Sequence, residues 1–344
     1  MQAVILAAGK STRTYPLTLT RPKPLLKVAN KTLLEHNLDN LIGLVDEIII
    51  IVGYKKNLIK KYMGYKYKNI KIRYVDQKQQ LGTAHATSLA EPYIKGRFIL
   101  FAGDDIYSKP DMKNCAKMQN AVLTARVKNP RDFGVILAKN NILIDFVEKP
   151  KTFVSDLIST SFYSFGKKIF SYINKIKKSA RNEFELPDAV KLMSKDEKFY
   201  CIASKHWLPI GYPCDLLNAD RILRKGKNLI GKNSRVYGNI KNSSIGNNCV
   251  IKGNVKNSII MDNTLIDKNS VVEDSVIGDN VHFRGKIISM STSYSTVNGK
   301  KIKVDRLGVI IGDNVTAINV KIKAGCKIWP NKKINNRIIM HDIV

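Results

Sequence analysis

The sequence predicts an α/β domain followed by a parallel β-helix, and two observations carry that prediction. Up to about residue 225, strand-like and helix-like segments alternate, the grammar of an α/β fold with a mostly parallel sheet. Beyond it, single apolar residues recur at steps of about six amid Asn, Gly, Asp and Ser. Alternating strands, whose period is two, cannot produce that spacing. The 344 residues suit two such domains, and contents of 44% hydrophobic and 25% charged residues are those of a globular chain.

Residues 4–7 form an apolar strand that runs into Ala8-Gly9. Residues 31–41 carry Leu33, Leu34, Leu38 and Leu41 at helical spacing, and 47–52 read as a buried strand. A short helix at 58–62, an alternating strand at 70–75 and a helix at 83–89 follow. Residues 98–102 form another buried strand ending in Gly103-Asp104-Asp105. Two strands flank Asn140-Asn141, a hairpin signal, and a helix over 215–225 ends at Gly226. Thereafter Ile245, Ile251, Ile260, Ile266, Val272, Ile277 and Phe283 keep the six-residue step, which resumes at Ile311, Ala317, Ile322 and Ile328. One inward apolar residue per hexapeptide is what a parallel β-helix requires. Residues 285–306 break the period and read as a loop thrown out of the coil.

Net charge is +30, the one extreme bulk property. Its densest stretch, residues 55–78, interleaves Lys and Arg with Tyr. The basic residues nevertheless spread over the whole chain without a nucleic-acid-binding signature; a solvated Lys-rich surface and a field steering anionic substrates both fit them, so charge alone decides nothing. No apolar run reaches the length of a membrane span. Met1 leads straight into the first strand without a basic leader, and five scattered cysteines lack a C-x-x-C pair. The expectation is a cytoplasmic protein with neither disulfide framework nor zinc site.

The chemistry-bearing residues follow strands. Leu6-Ala7-Ala8-Gly9-Lys10-Ser11-Thr12-Arg13 is a small-residue loop after the first strand, able to bring backbone N–H groups against a nucleotide. Arg13 offers a forked donor set to phosphate oxygens, and Lys23, in Arg21-Pro22-Lys23-Pro24, a point charge. Lys10-Ser11 does not make a Walker P-loop, because its first glycine would fall on Val4.

This loop resembles the signature of the sugar-1-phosphate nucleotidylyltransferase family, L-A-[AG]-G-x-G-T-R-x-x-P-L-T followed by P-K-P-L. Further matches come in the family's order: Gln77 to Ala86, Gly103-Asp104, Phe133-Gly134-Val135, Val147-Glu148-Lys149-Pro150, and Glu183-Phe184-Glu185-Leu186-Pro187-Asp188. The resemblance implies a Rossmann-like transferase domain over 1–226 and a left-handed β-helix of hexapeptide repeats over 227–344. It implies that Arg13 and Lys23 grip a nucleoside triphosphate. Leu6, Ala7, Ala8 and Gly9, with Gln77, Gln80, Gly82 and Thr83, would bind the nucleotide. Gly134, Glu148, Lys149 and Glu185 would bind the sugar phosphate, and Asp104 would hold Mg²⁺. The implied reaction joins a nucleoside triphosphate, UTP or dTTP favoured, to a sugar 1-phosphate and releases pyrophosphate. Residues 16–24 also resemble the mannose-1-phosphate guanylyltransferase branch, which stays open. The flat sides of a β-helix suit a dimer or trimer.

Four departures bear on activity. Ser11 replaces a signature glycine, tolerable where the backbone needs no positive φ. Ser159-Thr160-Ser161-Phe162-Tyr163 stands where the family shows N-[AT]-G-x-Y. Pro209, in Trp207-Leu208-Pro209-Ile210-Gly211, occupies the place of an aspartate that would be the second carboxylate on the metal. That loss keeps open a catalytically weak regulatory or scaffold subunit. In the β-helix, Asn280 to Lys286 lacks the small residues of acetyltransferase relatives, Asn314 to Asn319 is one residue short of their pattern, and no His stands where an acetyl-transfer base is expected. The reading is against acetyl transfer and for assembly.

Overall fold

The computed structural model describes residues 1–288, 290 and 292–344. Two compact units emerge: Met1–Gly9 with Leu34–Pro209, and Lys10–Leu33 with Ile210–Val344.

The first unit is built on one ten-stranded sheet. Its strands are β1 (Gln2–Ala7), β2 (Glu47–Val52), β3 (Ile70–Asp76), β4 (Phe98–Ala102) and β5 (Ala121–Arg126). Then come β6 (Gly134–Lys139), β7 (Ile142–Glu148), β8 (Leu157–Phe165) and β9 (Tyr200–Ala203). The order β3-β2-β1-β4 is parallel throughout, with the two-residue strand Lys66–Tyr67 outside β3. The continuation β8-β5-β9-β7-β6 is mixed, only β5 and β9 pairing parallel. Every residue of β2 is buried, as expected for a strand covered on both faces. Asn140 and Asn141 both have positive φ (50° and 61°), which gives the two-residue turn its hairpin twist.

The helices are α1 (Leu33–Leu41), α2 (Lys56–Met63), α3 (Thr83–Ser88), α4 (Lys109–Ala116), α5 (Ile169–Ile173), α6 (Leu186–Met193) and α7 (Pro213–Arg224). The helix expected from residue 31 starts later, because Lys31–Thr32 pairs with Lys27–Val28 around Ala29 and Asn30, both at positive φ. α7 ends at Lys225, which takes the left-handed conformation just before Gly226. The sheet's aromatic core stacks Phe98 on Phe170 and Phe101 on Phe162, at 5.6 and 5.4 Å between ring centres.

The second unit contains the parallel β-helix. One face is a six-stranded parallel sheet of two-residue strands carrying Ile230, Ile245, Ile260, Ile277, Ile311 and Ile328. Ile251, Ile266, Phe283, Ala317 and Ile334 line up on the next face. Val255, Val272 and Ile322 lie on the third, and the side chains from all three faces meet in one buried cluster. After the first face the chain turns through Asn248, Asn263, Asn280, Asn314 and Asn331, each in the left-handed region. Their amides bond coil to coil, for example Asn248 Nδ2 to Asn263 Oδ1 at 3.1 Å and Asn280 Nδ2 to Asn314 Oδ1 at 3.0 Å.

The segment 285–306 corrects the loop expected there. Its first residues continue the coil in β10 (His282–Ile288), which pairs in parallel with β13 (Thr316–Lys323). Its remainder is an antiparallel hairpin of β11 (Thr292–Val297) and β12 (Lys300–Asp305) around Asn298-Gly299. Alternating burial along β11, not the six-residue step, is the pattern that marks it as a strand. Residues 289 and 291 of the expected loop lie outside the described residues.

Candidate functional site

In the first unit, the loop after β1 and the loop after β3 are bonded together. The carbonyl of Ala8 accepts from Gln80 Nε2 at 2.7 Å and from the amide of Tyr54 at 3.0 Å. Gln77 is buried; its amide donates to Val52 and its side chain contacts His85 Nδ1 at 3.1 Å. His85 thus packs its ring against a loop residue from the first turn of α3. Gly82 has φ 106°, and a β-carbon there would lie 2.4 Å from the carbonyl oxygen of Phe184, so glycine is required twice over.

That close approach stitches the 77–83 loop to the acidic segment. Phe184 donates to Leu81 at 2.8 Å, Ala84 to Phe184 at 2.9 Å, and Leu186 to the Thr83 hydroxyl at 3.0 Å. Glu185, N-terminal to α6, is only 3% exposed. Arg181 Nη2 donates to its Oε1 at 2.6 Å and reaches Glu148 Oε1 at 3.3 Å, while Lys149 Nζ lies 3.6 Å from Glu148. Glu185 is therefore not the solvated helix-start charge that its sequence position alone allows. Gly134 lets the backbone close on this group: a β-carbon would lie 2.8 Å from Glu148 Oε2. Burial pushes the Glu148 carboxyl above the ordinary range, against the pull of Lys149 and Arg181. Lys149 itself sits at φ 46°, held by its amide's bond to Phe133 at 3.0 Å. A left-handed lysine is a strain found at functional sites.

Arg181 was missed in the sequence reading. Its four-residue spacing to Glu185 was the available signal, a pairing that a helix-free segment does not advertise.

Asp104 follows β4, half-buried, beside Asp105. Asp105 is not the helix cap it resembles in sequence: Ser108 caps α4, accepting from Asp111 at 3.2 Å, and Asp105 Oδ2 accepts from Trp207 Nε1 at 3.1 Å. Ile106 and Leu208 exchange backbone bonds at 3.1 and 2.9 Å as an antiparallel bridge. Continuing that register sets position 209 opposite residue 105. The proline therefore stands where a side-chain carboxylate would have joined the strand end. Among the described residues, no group of three or more His, Cys, Asp or Glu is disposed to hold a metal ion. Magnesium accepts one or two carboxylates when substrate phosphates complete its shell, and Asp104 fits that pattern.

Arg13 and Lys23 lie in the second unit. Arg13 is exposed, its guanidinium 5.5 Å from the centre of the Tyr212 ring. Lys23 is 4% exposed at the head of the turn Lys23–Leu25. Asp215 accepts from the amides of Gly211 and Tyr212 at 2.8 and 2.7 Å. Burial raises its pKa, opposed by those two bonds and by the fields of Lys23 and Arg13.

At Ser11 the condition of a backbone without positive φ is not met. Its φ is 53°, so the backbone there does need the left-handed conformation that glycine gives freely. The Ser11 carbonyl accepts from the Thr14 amide, the Thr14 hydroxyl and the Thr18 hydroxyl at 3.2, 2.8 and 2.9 Å, and these bonds hold it. Ser161 repeats the case at φ 62°, inside an irregularity of β8, with its amide on the Ser159 hydroxyl at 3.0 Å.

Residues 2–226 match the family model described as Nucleotidyl transferase. The chain belongs to that family. Residues 227–291 match the model of the GlmU-like C-terminal hexapeptide, so the nucleotidyl transferase carries a hexapeptide-repeat domain behind its Rossmann-like one. This nucleotidyl transferase is 35% identical to the bifunctional protein GlmU of Methanococcus vannielii, over 100% of this chain and 96% of the relative. That alignment runs over 400 positions, more than the 344 residues of this chain, so the relative carries segments absent here. Identity is 33% to UTP–glucose-1-phosphate uridylyltransferase AglF of Haloferax volcanii, over 65% of this chain and 97% of that one. Among solved structures, a putative glucose-1-phosphate thymidylyltransferase from Bacillus anthracis superposes with TM-score 0.59 and 29% identity, over 65% of this chain and 95% of that one. The nucleotidyl transferase is an enzyme, and it has no helix among the described residues long and apolar enough to cross a membrane.

Proposed function

We propose that this enzyme joins a pyrimidine nucleoside triphosphate, UTP or dTTP, to a sugar 1-phosphate and releases pyrophosphate. The observation that carries the reading is the stitching of the 77–83 loop to the 184–186 segment. Gln80 bonds the Ala8 carbonyl beside Leu6, Ala7 and Gly9, Gln77 bonds the Gly82 carbonyl, Leu186 bonds the Thr83 hydroxyl next to Glu185, and Arg181 links Glu185 to Glu148 beside Lys149. A base-reading loop and a hydroxyl-binding acid belong together only where nucleotide and sugar meet. The uridylyl- and thymidylyltransferase relatives support the pyrimidine choice.

The attacking group, a phosphate oxygen, is already anionic near neutral pH, so no general base is needed. The protein's work is alignment and charge neutralisation. Arg13 and Lys23 hold the triphosphate and stabilise the departing pyrophosphate. Lys149, assisted by Arg181, holds the sugar phosphate, and Glu185 and Glu148 accept from sugar hydroxyls beside Gly134. Asp104 is the residue that would hold Mg²⁺, and the ion would supply positive charge to neutralise the phosphates. The functional division is 1–226 for transfer and 227–344 for the β-helix, which we read as an assembly domain of a cytoplasmic dimer or trimer without acetyltransferase activity.

The test is pyrophosphate release with Mg²⁺, crossing five nucleoside triphosphates with several sugar 1-phosphates. Turnover with UTP or dTTP that falls by about 10²–10³ in Lys23→Ala and Asp104→Ala is the expected result. A preference for GTP with mannose 1-phosphate assigns the guanylyltransferase branch instead. No release with any pair makes Pro209 the lesion and the chain a scaffold subunit.

A further inference from the structure

The segment that carries Lys23 is fastened to the β-helix. At the corner after the first face, successive coils place Asn247, Asp262, Asp279, Asp313 and Pro330 in one column. Each Asp uses Oδ1 within the column: Asn247 donates to Asp262 at 2.9 Å, Asp262 to Asp279 at 2.9 Å, and Asp279 to Asp313 at 2.8 Å. Each Oδ2 faces outward and is met by the 20–30 segment. Arg21 Nη2 bridges Asp279, at 2.8 Å, and Asp313, to which the Thr20 hydroxyl also donates at 2.6 Å. Lys27 Nζ pairs with Asp262.

Two more bonds close the far end of the segment: the Ala29 amide on Asp220 Oδ1 of α7 and Asn30 Nδ2 on the Ile245 carbonyl, both at 2.8 Å. Arg21 and Lys27, the residues two before and four after Lys23, are thus both tied to carboxylates, and Arg21 is nearly buried (12% exposed). The acidic positions are three successive ones in the column; on one side Asn247 accepts from the Lys232 amide of the preceding coil at 2.8 Å, and on the other Pro330 follows. Three stacked carboxylates repel one another unless cations sit beside them, and the segment supplies those cations. The arrangement is reciprocal: the column fixes the segment, and the segment neutralises the column.

We infer that the β-helix serves nucleotidyl transfer directly, with Arg21, Asp279 and Asp313 as positioning residues that hold Lys23 in place for the triphosphate. This rests on the reading of Lys23 as a triphosphate ligand. A β-helix that only assembles subunits has no need of an acidic column matched to this segment.

The full-length chain carrying Asp279→Asn and Asp313→Asn tests it, because Asn keeps the shape and the Oδ1 acceptor while removing the charge. Arg21→Lys, which keeps charge and loses the fork, is the second variant. Glu273→Gln, on another edge of the coil, is the control. Amide exchange over 20–30 is expected to quicken in both variants and not in the control. The dissociation constant for UTP or dTTP is expected to rise about 10- to 100-fold, with the KM for sugar 1-phosphate unchanged. Unchanged exchange overturns the anchoring. Faster exchange with unchanged nucleotide affinity overturns the positioning of Lys23. A wild-type chain that binds no nucleoside triphosphate overturns the reading of Lys23 itself, whatever the exchange shows.

Discussion

The two halves of the molecule use charge in opposite ways. Around α6, Glu148, Arg181, Glu185 and Lys149 come from separate segments and meet in one group, with Lys149 half-exposed and strained. Along the β-helix, Asn and Asp stack in columns of like residues, each answering the coil before it. The first arrangement gains nothing from repetition, and Lys149 sits at its exposed side, 3.6 Å from Glu148. The second is a ladder in which Asp Oδ1 atoms join coil to coil and Asp Oδ2 atoms hold the 20–30 segment.

The largest expected effects test that contrast. Lys149→Met should lower turnover by about 10²–10³ while leaving the denaturant midpoint unchanged, since an exposed lysine contributes little to stability. Phe283→Ala, fully buried in the coil stack, should cost about 3–5 kcal/mol in denaturant unfolding and leave turnover per folded molecule intact. The contrast fails if Lys149→Met unfolds the chain, or if Phe283→Ala abolishes turnover at temperatures where it remains folded.

The same contrast governs what was legible in the sequence. Every apolar residue of the six-residue series, from Ile245 to Ile328, is buried in one cluster, because a repeat states its own geometry many times over. Family order singled out Gln80, Glu148, Lys149 and Glu185; Gln80 bonds the Ala8 carbonyl, and Arg181 ties Glu185 to the Glu148–Lys149 pair. What escaped notice was anything set by a single long-range contact. Arg181 acquires meaning only once α6 and β7 are side by side. Arg21, two residues before a lysine already singled out, shows no sign in sequence of partners more than 250 residues away. Backbone conformation was equally hidden: a serine letter does not say that its φ is positive, whereas a column of Asn at turn positions nearly does.

That last point yields a smaller effect. Ser11 and Ser161 keep the left-handed backbone of the glycines they replace, and their side chains lack the Asn ladder that accompanies the same conformation in the β-helix. Ser11→Gly and Ser161→Gly should each stabilise the chain by about 1 kcal/mol, in spite of glycine's looser unfolded state. Asn263→Ala should destabilise by about 1–2 kcal/mol, losing both the tolerant residue and the bond from Asn248. Denaturant midpoints of the three variants decide it; a destabilising Ser11→Gly would mean that the hydroxyl, not the carbonyl, holds that loop.

The smallest effect separates the halves by pH. Asp267, on the coil, is held down to about 2 by the Lys268 amide and by Arg284. A depressed carboxylate contributes stability above its unfolded value near ~4, lost as pH falls toward the folded value. Glu148 runs the other way. Its raised pKa means that the folded state binds more protons between the unfolded and folded values, so its contribution favours folding below that window and is lost as pH rises through it. Unfolding midpoints between pH 2 and 7 should therefore show Asp267→Asn differing from wild type at neutral pH and converging with it in acid. Glu148→Gln should gain relative to wild type as pH rises through the carboxylate range. Parallel curves for Glu148→Gln would mean that Arg181 and Lys149 fully offset its burial. The site would then be a finished ion-pair network, like the ladder, without a spare cation for a sugar phosphate.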